Sequence, residues 1–148
     1  MSREVRMVPP DWKHPLVEHP SSDRDFKPLL SDYERRLEEF KAGKYDDDVE
    51  PKREDYMPTF APGTATHFMM YETCTEGTPL SPPFATPEEL ARYLADTGAS
   101  AFGSMTASYE AWLATIRAGE TIGMVGFQTS KGMVFMSGVE YEGLHPRK

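Results

Sequence analysis

Residues 66–116 determine most of what this chain of 148 residues can fold into. At its start, residues 65–74 read ATHFMMYETC, a short run rich in apolar and aromatic residues that indicates a β-strand. Large apolar side chains follow one another at Phe68, Met69 and Met70, so both faces of the strand carry them. We therefore expect this strand to be central or covered on both sides.

Two amphipathic helices are predicted after the strand. The first covers residues 87–97, because Thr86 and Glu89 form a capping box and Gly98 is a typical stop. The second covers residues 106–118, where apolar side chains recur at helical spacing. The members of that stripe are Tyr109, Trp112, Leu113 and Ile116. We expect the tryptophan of this stripe to lie in the core.

The remaining strands are predicted near the end of the chain. Residues 121–127 and 132–140 flank the turn QTSK, which indicates a hairpin. Together with the strand at 65–74 they are predicted to form one short antiparallel sheet, and residues 141–148 are predicted to be a tail. The predicted fold class is α+β, a small antiparallel sheet with two short helices packed on one face, plus an extended N-terminal arm and helix.

Charge is unevenly distributed along the chain. Residues 1–62 carry 15 acidic and 11 basic side chains, so 26 of 62 are charged; residues 63–148 carry 9 and 5, so 14 of 86. We therefore predict a charged N-terminal arm at 1–62 and a globular α+β body at 63–148. Within the arm, a capping box at Ser31 and Glu34 starts a predicted helix over 31–42.

Composition excludes several classes of protein. The net charge of −8 argues against direct binding of nucleic acid, because phosphate contacts need clustered Lys or Arg. No apolar run reaches the roughly 18–20 residues that span a bilayer, and the first residues lack the apolar core of a signal peptide. Cys74 is the only cysteine and the four histidines lack metal-ligand spacing, so we expect no disulfide, no metal and no cofactor. A reducing cytoplasm is the expected location.

Candidate contact residues for a protein partner lie in two parts of the arm. An acidic loop has a local excess of carboxylates whose order does not match a calcium-binding loop, so it is either a solvated loop or a mimic of phosphates. A tryptophan in a proline-rich segment either docks on a partner or pins the arm to its own body. The predicted contact residues are Asp46, Asp47, Asp48, Glu50, Glu54, Asp55 and Trp12.

A second hypothesis is a ligand-binding or catalytic site around His67, Glu72 and Cys74. Glu72 and Cys74 share one face of the predicted strand, but activation of a thiolate needs a positive neighbour, and the sequence shows none beside it. A single histidine in a strand is more often structural than catalytic. The chain has no G-x-S-x-G nucleophile motif and no glycine-rich phosphate loop followed by a lysine. An enzyme is therefore the less favoured class.

Four segments together resemble a family of small, mostly uncharacterised proteins encoded by tailed bacteriophages and prophages. They are REVRMVPPDWKHP, EDYMP, the stretch THFMMYETCTEGTPLSPPFATPEELARYLADTGASAFGSMTASYEAWLATI, and MSGVE. Many relatives have a longer, tryptophan-rich acidic insert before EDYMP, where this chain has only DDDVEPKR. The resemblance implies phage origin and action in the cytoplasm of an infected bacterium. It implies no particular activity and no catalytic residues.

The leading functional hypothesis is a phage accessory protein that binds a host or phage protein. Its most concrete form is inhibition of a host defence or nucleic-acid enzyme through an acidic surface, since an acidic protein complements a basic partner. A structural or assembly component of the phage, with possible self-association, is a further alternative. No membrane partner is expected.

Overall fold

The structure is a computed structural model that describes residues 2–14, 30–44, 50–53, 56–73 and 78–147. Within these ranges the chain forms a four-stranded antiparallel sheet, a separate two-stranded sheet and four helices. The predicted α+β fold class is therefore confirmed.

The four-stranded sheet has two long inner strands and two short edge strands. The inner strands are β1 (Arg3–Val8) and β2 (His67–Glu72). The edges are β3 (Thr78–Pro79) beside β2 and β4 (Glu120–Thr121) beside β1, which gives the order β3-β2-β1-β4. Every neighbouring pair is antiparallel.

The strands that form this sheet are not the ones that were predicted. The predicted strands at 121–127 and 132–140 do not join the strand at 65–74. Instead, among the described residues, β5 (Met124–Thr129) and β6 (Gly132–Ser137) pair only with each other. The place beside β2 is taken by β1, from the start of the charged arm. Pairing between strands depends on which distant segments meet, and local alternation does not record this.

Four helices accompany the sheets. Three match predicted helices: α1 (Leu30–Lys41), α2 (Pro87–Asp96) and α3 (Tyr109–Ala118). The fourth, α4 (Gly138–Leu144), lies where the end of a strand and a tail at 141–148 were predicted, so both of these predictions are wrong. Ser137 ends β6 and caps α4 at once, because its hydroxyl accepts a hydrogen bond from a backbone N–H three residues later.

Side-chain caps fix the starts of α2 and α3. The Thr86 hydroxyl accepts from the Glu89 backbone N–H at 3.1 Å, as predicted, and Pro87 occupies the first turn. In α3 the cap is Ser108, whose hydroxyl accepts from the Ala111 N–H at 3.2 Å. That helix therefore begins at Tyr109, three residues after the predicted start.

Strand β2 is covered on both faces, as predicted. Phe68 and Met70 face a core that α2, α3 and α4 supply. Met69 and Tyr71 face a second, smaller cluster. The first core contains Leu90, Ala91, Leu94, Ala101, Ala111, Trp112, Ile116 and Val139. The second contains Val8 and Met57, with Trp12 and Phe60 packed against it.

Helix α1 is attached at the periphery. None of its residues is buried, which agrees with its narrow apolar stripe. Its described contacts run to Tyr56: the Arg36 guanidinium donates to the Tyr56 hydroxyl at 3.0 Å, and the rings of Tyr33 and Tyr56 lie 5.3 Å apart.

Candidate functional site

The predicted acidic contact residues fall mostly outside the described part of the chain. Asp46, Asp47 and Asp48 lie outside the described residues, and so do Glu54 and Asp55. Glu50 is described, and its side chain is exposed. The role predicted for this loop therefore stays a prediction.

Trp12 is half-buried against the protein's own body. Its indole Nε1 donates to the Tyr71 hydroxyl oxygen at 3.2 Å, and its ring packs edge-on against Phe60 with centroids 5.3 Å apart. The sequence left open whether this tryptophan contacts a partner or the body; the structure shows the contact with the body.

A cavity of about 510 Å³ lies beside Trp12. The hydroxyl oxygen of the fully buried Tyr71 is also 3.2 Å from the Nδ1 atom of His14, which lines this cavity. Burial raises the pKa of Tyr71, although the hydrogen bond from Trp12 acts in the opposite direction. These polar groups bond to one another, so they stabilise the wall of the cavity. The wall includes Pro10, Trp12, His14, Leu80, Pro83 and Tyr93.

The two described residues of the alternative site, His67 and Glu72, are not brought together. His67 and Glu72 are the first and last residues of β2, so about 17 Å of extended strand separates them. An odd separation along a strand also places them on opposite faces. His67 contacts the neighbouring Thr66 hydroxyl at 2.9 Å, and Glu72 is buried. Cys74 lies outside the described residues.

Across the described ranges, no group of three or more His, Cys, Asp or Glu residues is placed to hold a metal ion. No helix in the part of the chain that the structure describes is long and apolar enough to cross a membrane.

The most unusual surface is the β5–β6 hairpin, which sequence reasoning placed in the main sheet. One of its faces carries Met124, Gly126, Met133 and Phe135; we call this the hairpin face. Met133 and Phe135 are each 53% exposed. Gly126 lies directly opposite Phe135, and a Cβ on that glycine would be 3.0 Å from the ring. The Phe135 ring therefore lies across a flat part of the strand instead of reaching the core.

The opposite face of the hairpin contacts the rest of the protein through helix α4. Phe127 stacks on Tyr141 of α4, with ring centroids 6.1 Å apart, and Val125 and Met136 are half-buried. An isolated two-stranded hairpin is at best marginally stable in water. The contact with α4 supports one face and leaves the hairpin face open.

The hairpin is also nearly free of charge. Between Thr121 and Val139 the only charged side chain is Lys131, at the turn, although the whole chain has a net charge of −8. Depletion of charge with enrichment of Met and Phe is typical of the centre of a protein interface. The sequence signal for this surface is therefore its neutrality, but a neutral apolar strand is equally typical of a core.

Comparisons of this chain with protein-family models, curated proteins and solved structures gave no match.

Proposed function

We propose that this chain is an accessory protein of a tailed bacteriophage or prophage that acts by binding a host or phage protein in the infected bacterium. The observation that carries the proposal is the hairpin face, a contiguous neutral surface of two methionines and a phenylalanine that the fold leaves in water. Monomeric proteins rarely leave large apolar patches exposed unless a partner covers them.

Energetics favour a covered hairpin face. Burying a Met or Phe side chain contributes roughly 1.5–3 kcal/mol, so the three large side chains of this face are worth several kcal/mol to a partner that covers them. Such contacts also stabilise a hairpin that otherwise pairs only with itself.

Two further features support the more concrete form of the proposal, inhibition of a host defence or nucleic-acid enzyme. The resemblance to phage proteins supports phage origin. The net charge of −8 suits a partner with a basic surface, such as an enzyme that holds nucleic acid. In this form the hairpin face supplies the apolar contact, and the acidic residues guide the approach.

The test is capture of a partner from the bacterial host with tagged protein, at physiological and at high salt. The test variant is the double substitution Met133→Ser and Phe135→Ser. The matched control is Met105→Ser, because Met105 is 37% exposed but lies outside the hairpin. We expect one stoichiometric protein to bind the wild type and the control and to be lost from the test variant. Equal capture by the test variant would reject the hairpin face as the contact.

The salt concentration distinguishes an apolar contact through the hairpin face from an electrostatic contact through the acidic residues. An apolar contact persists at high salt, whereas contacts through exposed carboxylates are screened. Loss of all capture at high salt would shift the proposal from the hairpin face to the acidic residues.

The hairpin face also favours a second candidate, a structural or assembly component of the phage. Two neutral hairpin faces can meet without bringing carboxylates together, so the surface suits contact between copies of the chain. We expect an assembly component to be present in purified virions; its absence from particles would reject this candidate.

A further inference from the structure

A second surface, a groove along the exposed side of α2, has a different chemistry from the hairpin face. Its volume is about 630 Å³. Its floor is aromatic and its rim is acidic. The floor is formed by Phe84, Tyr93 and Tyr109, and the rim carries Glu88, Glu89 and Asp96. We call it the α2 groove.

The floor of the α2 groove is held in place by the core. Phe84 and Tyr93 have ring centroids 5.1 Å apart, and both pack against the main hydrophobic cluster. Phe84 is also held by a pair of backbone hydrogen bonds with Phe68 of β2, at 2.7 and 2.9 Å. A rigid aromatic surface loses little conformational entropy when a ligand stacks on it.

The protein itself shows that this floor accepts a guanidinium. The Arg92 guanidinium carbon lies 4.1 Å from the centroid of the Tyr109 ring, within the range of a cation–π contact. Arg92 also forms an ion pair with Asp96, but this pair is weak, because it is 3.9 Å long and both side chains are more than half exposed.

The rim retains an excess of negative charge. Three carboxylates and the single guanidinium of Arg92 line the groove, so its net charge is 3 − 1 = 2 negative units. Glu88 is paired with Arg117 at 3.3 Å, from outside the groove. Within the described ranges, the Glu89 carboxylate has no ion pair, and it is exposed beside Tyr93.

We infer that the α2 groove receives an arginine side chain from a protein partner, with its guanidinium against Glu89 and its apolar stem on Phe84 and Tyr93. The inference rests on the proposed function in one respect, that the partner is a protein, and it names the chemistry of that partner. Arginine fits better than lysine, since a planar guanidinium stacks on aromatic rings and also pairs with a carboxylate. Tyrosine and arginine are also the residues that most often dominate interfaces.

The test needs no natural partner. The full chain, labelled with ¹⁵N, is titrated in NMR experiments with the peptide acetyl-Leu-Arg-Leu-Gly-amide at low salt. A second peptide has citrulline in place of arginine, which keeps the shape and removes the charge. We expect the arginine peptide to bind with a millimolar Kd, to shift amide signals of residues 84–97 and 109, and to bind more weakly at about 0.5 M salt. We expect the citrulline peptide to cause much smaller shifts.

Three variants locate the contact. Glu89→Gln should raise Kd roughly two- to fivefold, the loss expected for an exposed ion pair. Glu38→Gln, on the exposed surface of α1, makes the same change in net charge and should leave Kd unchanged. Arg92→Gln uncovers Tyr109 and removes a positive charge, so it should lower Kd.

Each contrary result overturns the inference. These results are absence of arginine-dependent shifts in the groove, equal effects of Glu89→Gln and Glu38→Gln, and weaker binding by Arg92→Gln. Because the titration uses a peptide and the capture experiment uses hairpin variants, failure of one leaves the result of the other intact. A groove that binds the peptide in a protein that captures nothing would reject the proposed function alone.

Discussion

Strands β2 and β6 are both six residues long, and each contains two methionines and one phenylalanine. In β2, the four residues Met69–Glu72 are all buried. In β6, Met133, Val134 and Phe135 are all exposed. Two strands of the same length and almost the same apolar content thus have opposite environments.

The difference comes from what the rest of the chain provides. Strand β2 has a neighbour at each edge and a cluster on each face. Within the described ranges, strand β6 has one neighbour, β5, and the short helix α4 on one side only. Burial of a strand is therefore a property of the elements that return to cover it, which is why β-propensity depends so strongly on context. Uncovered apolar strands are available to a partner.

The largest loss of stability is expected at Gly138, and Gly126 provides the comparison. A Cβ on Gly138, at the junction of β6 and α4, would lie 1.8 Å from the Ile122 carbonyl oxygen, so the backbone must move. We expect Gly138→Ala to lower the free energy of unfolding by roughly 4 kcal/mol or more. Urea denaturation followed by circular dichroism measures it.

Gly126→Ala in the hairpin is the control for this substitution. Its new Cβ would meet the exposed ring of Phe135, at 3.0 Å, and the end of the Met133 side chain, at 3.3 Å, and both exposed side chains can turn away. We expect a change of less than roughly 1 kcal/mol. If the two alanine variants lose equal stability, the hairpin is as tightly integrated as the body and the contrast fails.

The same substitution, Met→Ala, can be compared in strands β2 and β6. Met70 is fully buried on the helix side of β2, so Met70→Ala should cost about 3 kcal/mol through lost burial and the cavity left behind. Met133→Ala removes an exposed side chain and should change stability by less than about 0.5 kcal/mol. Parallel urea titrations compare them, and a loss above about 2 kcal/mol for Met133→Ala would show that the hairpin face is part of the core.

A smaller effect concerns Tyr71 on the other face of β2. Removing the hydroxyl in Tyr71→Phe deprives Trp12 and His14 of their shared partner and should cost about 1 kcal/mol near pH 7. Urea unfolding followed by the emission of Trp12 and Trp112 measures this change.

The buried hydroxyl of Tyr71 also makes the stability of the fold depend on pH, in a direction that can be predicted. Burial raises the pKa of Tyr71 above its ordinary value of 10.0 in the folded protein. Above about pH 10 the unfolded chain loses this proton first, so the stability contributed by Tyr71 is full below pH 10 and falls as the pH rises through the folded pKa. We expect Tyr71→Phe to flatten that alkaline loss, whereas an unchanged alkaline profile would show that Tyr71 is not its source.

The helices could be predicted from the sequence because their signals are local. The cap of α2 involves Thr86 and a backbone group three residues away, and the Gly119 stop of α3 adopts a positive φ of 91°. In each case the determining groups lie within one turn of the helix end. The start of α3 was predicted three residues too early, because the prediction did not identify Ser108 as the cap.

Strand β1 was missed because its charges are not in water. Arg3 is buried, and its Nε donates to the Ser100 carbonyl at 2.9 Å. Arg6 pairs with Glu4 at 2.7 Å and lies over the Tyr71 ring. The charge content of residues 1–62 assigned these arginines to an extended, charged N-terminal arm. Their partners are up to 97 residues away in the chain, so no local pattern identifies them.

The hairpin face was missed for the opposite reason. Its alternating Met, Phe and Val residues predict a hairpin correctly, but the same residues are typical of a buried sheet. Only the lack of a covering element among the described residues, visible in the three-dimensional structure, distinguishes this exposed face from the face of a buried sheet.

We propose that the hairpin face belongs to an interface and not to the core. Hydrogen exchange measured by mass spectrometry, on the protein alone and in complex with its captured partner, tests this most directly. We predict that peptides covering 124–137 exchange much faster than those covering 3–8 and 67–72 in the protein alone, and become protected in the complex. The claim would be contradicted if the hairpin were as protected as β1 and β2 in the protein alone, or if the partner left its exchange unchanged.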